Sequence, residues 1–443
     1  MSSIDAFIPM RIPRVDFSSW NDHHDKPSRL RVAQELVEAC QRVGFVYIVN
    51  HSLPESVLDE AFSWAKRLFD LPEEVKMKAP HPEGWAVHRG YSPPGFEKVS
   101  QNLSTGDDEE IKRKMREIPD AKEVYDIGSD ENADQPNQWI PDELFPGFRA
   151  FMNKFYWECN KVGDSILRAL AVGLDLDDES YLAKQHSGHE NQIRLLHYMP
   201  IPAEELEKER VTRCGAHTDW SSITMLFQDD CGGLEVEDIS RPGTFVPVEP
   251  VKNAIVMNVG DLLQRWSNDR LRSTNHRVRL PPLADRFEGP DRMTRDRYSI
   301  PYFMTTDRET VIECIPSCTD DNEPPKYDPI KQLLQELETR IVASQQQIGI
   351  TKAQITTKQR DIRMLELTSK EISSLPKETP VYEGVGKMFM SVPMNTVDKR
   401  LSTESTELKS DISGLEKKLS SLELTHKNGR ENLERILKSG DRA

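Results

Sequence analysis

Two hydrophobic rhythms divide this chain. From about residue 192, apolar and polar positions alternate in short runs broken by turn residues: QIRLLHYM, SSITMLFQD, GLEVED, TFVPVEP, AIVMNV, RSTNHRVRL, RYSIPYFMT and TVIECI. Evenly spaced short strands of this kind predict a sandwich or jelly-roll barrel. Past residue 331 the period becomes seven. Leu334, Ile341, Ile348, Ile355 and Ile362 form one series. Leu337, Leu365 and Ile372 fall three residues after it, and Ser344, Thr351 and Lys358 interrupt it with polar groups. A second seam holds Leu401, Leu408, Leu415, Leu422 and Ile436, with Ile412, Leu419 and Leu433. Between the seams lie Pro376, Pro380 and the β-like VYEGVGKMFMSVP. Two heptad helices, each about 60 Å long, predict an antiparallel coiled-coil hairpin with a small β-hairpin insert.

The first half reads as strand (PRVDFS), helix (RLRVAQELVEACQRV) and strand (GFVYIVN). A helical stretch follows from Pro54 to about Lys78. Residues 80–147 are rich in Pro, Gly and Asp and read mostly as loops. The stretch 145–176 places Phe151, Phe155, Val162, Ile166 and Leu170 near one helical face. The expected fold class is mixed: a jelly-roll barrel with flanking helices, then the coiled-coil hairpin. The expected domains are 1–125, 126–330 (helical support and barrel) and 331–443.

Composition sharpens the break near PPKYDPIKQLL (324–334). Residues 331–443 hold 19 Lys+Arg against 16 Asp+Glu, a net of +3, whereas 1–330 hold 39 against 58, a net of −19. All seven Trp and all six Cys precede residue 331; after it the aromatics are Tyr382 and Phe389. The overall charge of −16 argues against a nucleic-acid binder, which needs a basic surface. Apolar runs such as 44–49 and 253–259 are too short to cross a bilayer. The first residues show no signal-peptide pattern, and the cysteines, Cys314 and Cys318 included, lack paired metal or disulfide spacing. A cytoplasmic protein with reduced thiols is expected.

The candidate chemistry lies in the β region. His217 and Asp219 sit two apart at a strand start, so one face presents an imidazole and a carboxylate. His276, in RSTNHRVRL, is a second imidazole. Two His and one carboxylate leave metal positions open, as in non-haem Fe(II) oxygenases. Arg297 and Ser299 share a face of RYSIPYF and suit the far carboxylate of a dicarboxylic acid, with Tyr198 a third donor. Trp220, Tyr302 and Phe303 are candidates for a substrate pocket, although aromatics beside barrel strands are more often core. His186, His189 and Glu190 (QHSGHEN) have metal-like spacing but read as a surface turn, and His23, His24 and Asp25 as a solvated loop. His426 and the methionines beyond 331 read as packing or surface.

Taken in order, HTDWSSITMLFQDDCGGLEVED, GDLLQRWSNDRLRSTNHRV and RYSIPYF resemble the isopenicillin N synthase-like branch of the 2-oxoglutarate- and Fe(II)-dependent dioxygenases. IPRVDFS, GFVYIVNHSLP and HRGYSPPGFEKVS resemble that family's N-terminal domain, so the resemblance covers about 10–328. It implies a double-stranded β-helix with Fe(II) on His217, Asp219 and His276, and 2-oxoglutarate on Arg297 and Ser299, assisted by Tyr198. It implies O2 as co-substrate, ascorbate as a helpful additive, and hydroxylation, desaturation or ring closure of a small organic molecule. Ser221 stands where the family often has Gly, and the heptad seam begins where related chains continue into a helix packed on the barrel.

VYEGVGKMF and SVPMNTVDKRL, set between the seams, resemble β-type prefoldin subunits, subunit 1 in particular. That implies assembly with other prefoldin subunits through the β stretch and binding of unfolded polypeptides by the helix tips. Two other readings stay open: a prefoldin chaperone subunit with a non-functional oxygenase attached, or an oxidase of the same fold that does not use 2-oxoglutarate.

Overall fold

A computed structural model describes residues 10–22, 24–82, 87–96, 120–208, 211–280, 287–288, 292–376, 379–385 and 388–440. His23 of the expected loop lies outside them, as do the side chains of Leu334, Leu337, Leu433 and Ile436. The chain divides into two compact units, one ending at Gln335 and the other starting at Glu336.

In the first unit the elements run β1 (Arg14–Asp16), α1 (Lys26–Arg42), β2 (Phe45–Val49), α2 (Glu55–Phe69), α3 (Glu73–Lys76), β3 (Gly90–Ser92), β4 (Glu123–Gly128), α4 (Phe148–Gly173), β5 (Gln192–Tyr198) and α5 (Ala203–Glu207). There follow β6 (Cys214–His217), β7 (Ile223–Gln228), β8 (Leu234–Glu237), β9 (Phe245–Pro247), β10 (Ile255–Val259), α6 (Asp261–Trp266), β11 (His276–Val278), β12 (Phe287–Glu288), β13 (Met293–Thr294), β14 (Arg297–Met304), β15 (Val311–Ile312) and β16 (Ile330–Lys331). The single helix expected over 54–78 is two, because Pro72 interrupts it. Within 80–147, read mostly as loops, β3 and β4 pair with each other.

Eight strands form one sheet in the order β1-β2-β10-β7-β14-β5-β4-β3, and four form a second, β6-β11-β8-β9. Apart from the parallel β1–β2 pair, both sheets are antiparallel. This is the jelly roll that the alternating runs predict. β4 spans the expected boundary at 125/126 and ties both sides into one sheet.

Period-two alternation sorts the large sheet's residues into two cores. Val46, Ile48, Ile193, Leu195, Met225, Phe227, Ile300 and Met304 face α1 and α4. Phe45, Tyr47, Leu196, Tyr198 and Val256 face the small sheet's Leu234, Val236 and Val278. β2, FVYIV, is buried on both faces and therefore reads as an unbroken apolar run. α1 starts where Asp25, far from being an idle loop residue, accepts a hydrogen bond from the Ser28 amide at 3.1 Å. α1 crosses α4 at Gly173, where a Cβ would lie 2.3 Å from the Ala33 carbonyl oxygen.

The second unit holds α7 (Gln332–Ser374), β17 (Val381–Val385), β18 (Met388–Val392) and α8 (Met394–Gly440). The two strands pair as a hairpin. Lys358 meets Asp411 at 2.6 Å and Lys352 meets Glu423 at 2.8 Å, while the His426 ring lies 3.2 Å from the Ile341 carbonyl. Such pairs fit only antiparallel helices. Ile348, Ile355, Leu401 and Leu422 are buried in the seam, as the heptads require. Thr351 is buried there too, its hydroxyl without a partner. No helix among the described residues is long and apolar enough to cross a membrane.

Candidate active site

β6 and β11 are antiparallel neighbours, and their register sets His217 directly opposite His276. Cross-strand partners share a sheet face, so the rings meet with centroids 4.3 Å apart. Asp219 follows β6 by two residues. Its Oδ1 lies 3.8 Å from His217 Nε2 and 3.7 Å from His276 Nε2. The three ligand atoms all lie within 4.8 Å of one another, and among the described residues this is the one His/Cys/Asp/Glu group so arranged.

The surroundings fix which atoms face inward. His217 Nδ1 lies 2.8 Å from the Gly215 carbonyl, and His276 Nδ1 3.2 Å from that of Thr274. A carbonyl only accepts, so each Nδ1 carries the proton and each Nε2 keeps its lone pair. Asp219 Oδ2 accepts from Thr224 Oγ1 at 2.6 Å and Asn258 Nδ2 at 2.8 Å, which turns Oδ1 toward the imidazoles. Phe45 packs edge-on against His276.

Electrostatics favour the same protonation states. Burial pushes His276 down to about 4 and lowers His217 as well. Burial by itself would raise the Asp219 carboxyl; His276, His217 and the bonds from Thr224 and Asn258 hold it below the usual range. The loop after Asp219 is clamped by Gly260, whose Cα lies so near that a Cβ would stand 2.0 Å from the Ser221 carbonyl oxygen. Two neutral imidazoles and one ionised carboxylate are a donor set that suits divalent iron.

A second cluster forms where β14 meets β5. Arg297 is the cross-strand partner of Tyr198, and its guanidinium sits 4.9 Å from the ring centroid. Arg297 is 1% exposed. It donates to the Gly232 carbonyl at 2.9 Å, Ser299 Oγ at 3.1 Å and Gln228 Oε1 at 3.3 Å. All are neutral acceptors. Among the described residues no carboxylate forms an ion pair with it, so this buried cation invites an anion.

The three aromatic candidates part company. Phe303 is the cross-strand neighbour of Thr224, the residue bonded to Asp219, and so lies on the face of the iron candidates. Trp220, next to Asp219, is 45% exposed. Tyr302 does not line a pocket. It is fully buried in the outer core against Tyr156 and takes a hydrogen bond from Asn191, because alternation turns it away from Arg297 and Ser299. The QHSGHEN turn also differs from expectation. His189 and Glu190 are partly exposed, but His186 is buried, stacked on Trp266 and 2.9 Å from Ser222 Oγ. Its burial pushes it down to about 4.

Thr224, Asn258 and Gln228 were not marked by the motifs. Asn258 had a signal, being the lone amide in the apolar run AIVMNV. Thr224 and Gln228 had none beyond the strand that carries them.

With this geometry in hand, likeness to known proteins agrees. Residues 12–143 match the model described as non-haem dioxygenase in morphine synthesis N-terminal, 190–306 that of the 2OG-Fe(II) oxygenase superfamily, and 335–440 that of a prefoldin subunit. The 2-oxoglutarate-Fe(II) type oxidoreductase ppzD of Metarhizium majus is 38% identical over 332 residues, covering 72% of this chain and 91% of ppzD. The proline hydroxylase buaE of Petromyces alliaceus is 40% identical over 320 residues, covering 72% and 94%. A full-length Neurospora crassa protein, crystallised in complex with alpha-KG, superposes with a TM-score of 0.64 at 34% identity, covering 74% of this chain and 95% of its own. The chain therefore belongs to the 2-oxoglutarate–Fe(II) oxygenases and carries a prefoldin subunit domain over its last hundred or so residues.

Proposed function

We propose that this oxygenase oxidises a small organic molecule, with His217, Asp219 and His276 as the iron ligands and Arg297, Ser299 and Tyr198 as the seat of 2-oxoglutarate. The observation that supports it is the convergence of two Nε2 atoms and Asp219 Oδ1, on the same barrel interior as a buried arginine whose direct hydrogen-bond partners are all neutral. Iron, when bound, supplies the centre at which dioxygen and 2-oxoglutarate react, the latter leaving as succinate and carbon dioxide. The protein's part is geometric. The Gly215 and Thr274 carbonyls hold the imidazoles in their ligating tautomer, and Thr224 and Asn258 orient the carboxylate. Arg297 receives the far carboxylate through its guanidinium, while Ser299 orients its Nη1. Leu196, Val236, Val256 and Phe45 make the neighbouring interior apolar and keep water from it. Phe303 and Trp220 form the substrate side.

The prefoldin domain is proposed to join other prefoldin subunits and to bind unfolded polypeptides. Its cytoplasmic setting follows from the same reading.

The test is succinate release from 2-oxoglutarate with Fe(II) and ascorbate across a panel of small molecules. The panel starts from proline and thymine, because buaE is a proline hydroxylase and the Neurospora crassa protein has been crystallised with thymine. Substrate-dependent succinate supports the reading. No turnover, coupled or uncoupled, together with co-purification of the full chain with prefoldin subunits, would instead support a chaperone subunit with an inert oxygenase.

A further inference from the structure

We propose that Ser221 is a positioning residue for the metal centre, acting on Asp219 solely through Thr224. This rests on the assignment of His217, Asp219 and His276 as ligands.

Ser221 is fully buried, two residues past Asp219. Its Oγ lies 3.1 Å from Thr224 Oγ1, and either hydroxyl could donate if the pair stood alone. It does not stand alone. Thr224 Oγ1 lies 2.6 Å from Asp219 Oδ2, and a carboxylate oxygen only accepts. The Thr224 proton is therefore committed to Asp219. Ser221 must be the donor to Thr224, and the bonds run one way: Ser221 to Thr224 to Asp219 Oδ2.

A donor behind a donor polarises it and strengthens the outer bond. The chain also removes the other choice open to Thr224, which is to rotate its hydroxyl away from the carboxylate. With Oδ2 held by Thr224 on one side and Asn258 on the other, Oδ1 is left as the single oxygen presented to a metal. The backbone of Ser221 cannot drift, because Gly260 packs against its carbonyl. Groups that hold ligands in this way typically alter metal affinity by about ten- to hundredfold when removed. Ser221, one bond further out, should have a smaller effect. Where the family often has Gly, this chain carries an added donor.

The experiment is a double-mutant cycle read by Co(II) titration of the full-length, metal-free protein, followed by the cobalt visible absorption. Wild type should bind one Co(II). Ser221→Ala should weaken binding about three- to tenfold, one neutral hydrogen bond's worth, and Thr224→Val about ten- to hundredfold. The double variant should be no weaker than Thr224→Val, since Ser221 has no other route to the ligand. Asn258→Ala combined with Ser221→Ala should be additive, because Asn258 bonds Oδ2 directly. Ser221→Gly provides the same deletion if the alanine variant misfolds, and unchanged thermal midpoints separate positioning from folding. Full additivity of Ser221→Ala with Thr224→Val, or unaltered Co(II) affinity in both Ser221 variants, overturns the proposal. Failure of the wild type to bind Co(II), or binding untouched by His217→Ala, would overturn the ligand assignment itself, and is distinguishable from either.

Discussion

His217 stands across the strand ladder from His276, and both imidazoles face the same oxygen of Asp219. Because the register itself delivers the pair, neither ring can be lost without removing one of the three donors. His217→Ala, His276→Ala and Asp219→Ala should each abolish stoichiometric Fe(II) binding and iron-dependent succinate release while leaving the circular dichroism spectrum intact. Equilibrium dialysis with Fe(II) under anaerobic conditions checks this.

Arg297 should behave differently. Arg297→Ala removes a charge-assisted pair worth about 1.5–3 kcal/mol, which corresponds to a rise of roughly ten- to two-hundredfold in the 2-oxoglutarate concentration needed for half-maximal turnover. Iron affinity should be close to wild type. If Arg297→Ala lost iron as fully as His217→Ala, the division of roles between the two clusters would be wrong.

Acid should destabilise the metal-free oxygenase unit. His186 and His276 are both pushed down to about 4 by burial, whereas unfolded histidine titrates near 6.5. Between these values the unfolded chain takes up protons that the folded one refuses, so stability falls as pH drops from about 6.5 toward 4. Thermal melts in chelator at pH 7.5, 6 and 5 measure it. His186→Gln should shallow the slope, since it removes one of the buried imidazoles that resist protonation without touching the ligands.

Gly260→Ala should cost more than its single methyl suggests. The new Cβ would stand 2.0 Å from the Ser221 carbonyl oxygen, a backbone atom that cannot swing aside as a side chain could. A loss of about 1–3 kcal/mol is expected, seen as a lowered midpoint in urea together with weakened metal binding.

Thr351→Val should raise stability. The hydroxyl of Thr351 is buried in the α7–α8 seam without a partner, between Ile348 and Ile355. Replacing it with an isosteric methyl removes a desolvation penalty of about 1–3 kcal/mol. Helicity loss in the second unit on heating, followed at 222 nm, should move to higher temperature.

The sequence made the architecture readable wherever periodicity was long or strict. The seven-residue spacing of Ile348, Ile355, Leu401, Leu408, Leu415 and Leu422 spoke for the helical hairpin, and strand alternation spoke for the barrel. His217 and Asp219 were legible because two residues on one strand face are a local pattern. His186 was not, because its neighbours in QHSGHEN are polar and its burial depends on Trp266, eighty residues away. Tyr302 carries a local signal of its own place: the alternation that puts Arg297 and Ser299 inward puts Tyr302 outward. β3 and β4 lie in a Pro- and Gly-rich stretch that does not announce them, since β3 pairs with β4 and β4 with β5 through long-range contacts to which local composition is blind.

The sheet order has a consequence for inheritance. β2, from the first fifty residues, lies hydrogen-bonded beside β10, which carries Asn258, and β4 lies beside β5, which carries Tyr198. Segments that look like a preface in the sequence are structural neighbours of the strands that carry the chemistry. A recombination event that moved only residues 190–306 into another gene would strip both flanks from that sheet and deliver a barrel with raw edges. This oxygenase can be copied, shuffled or joined to a new partner only as a whole, from its first strand to its last.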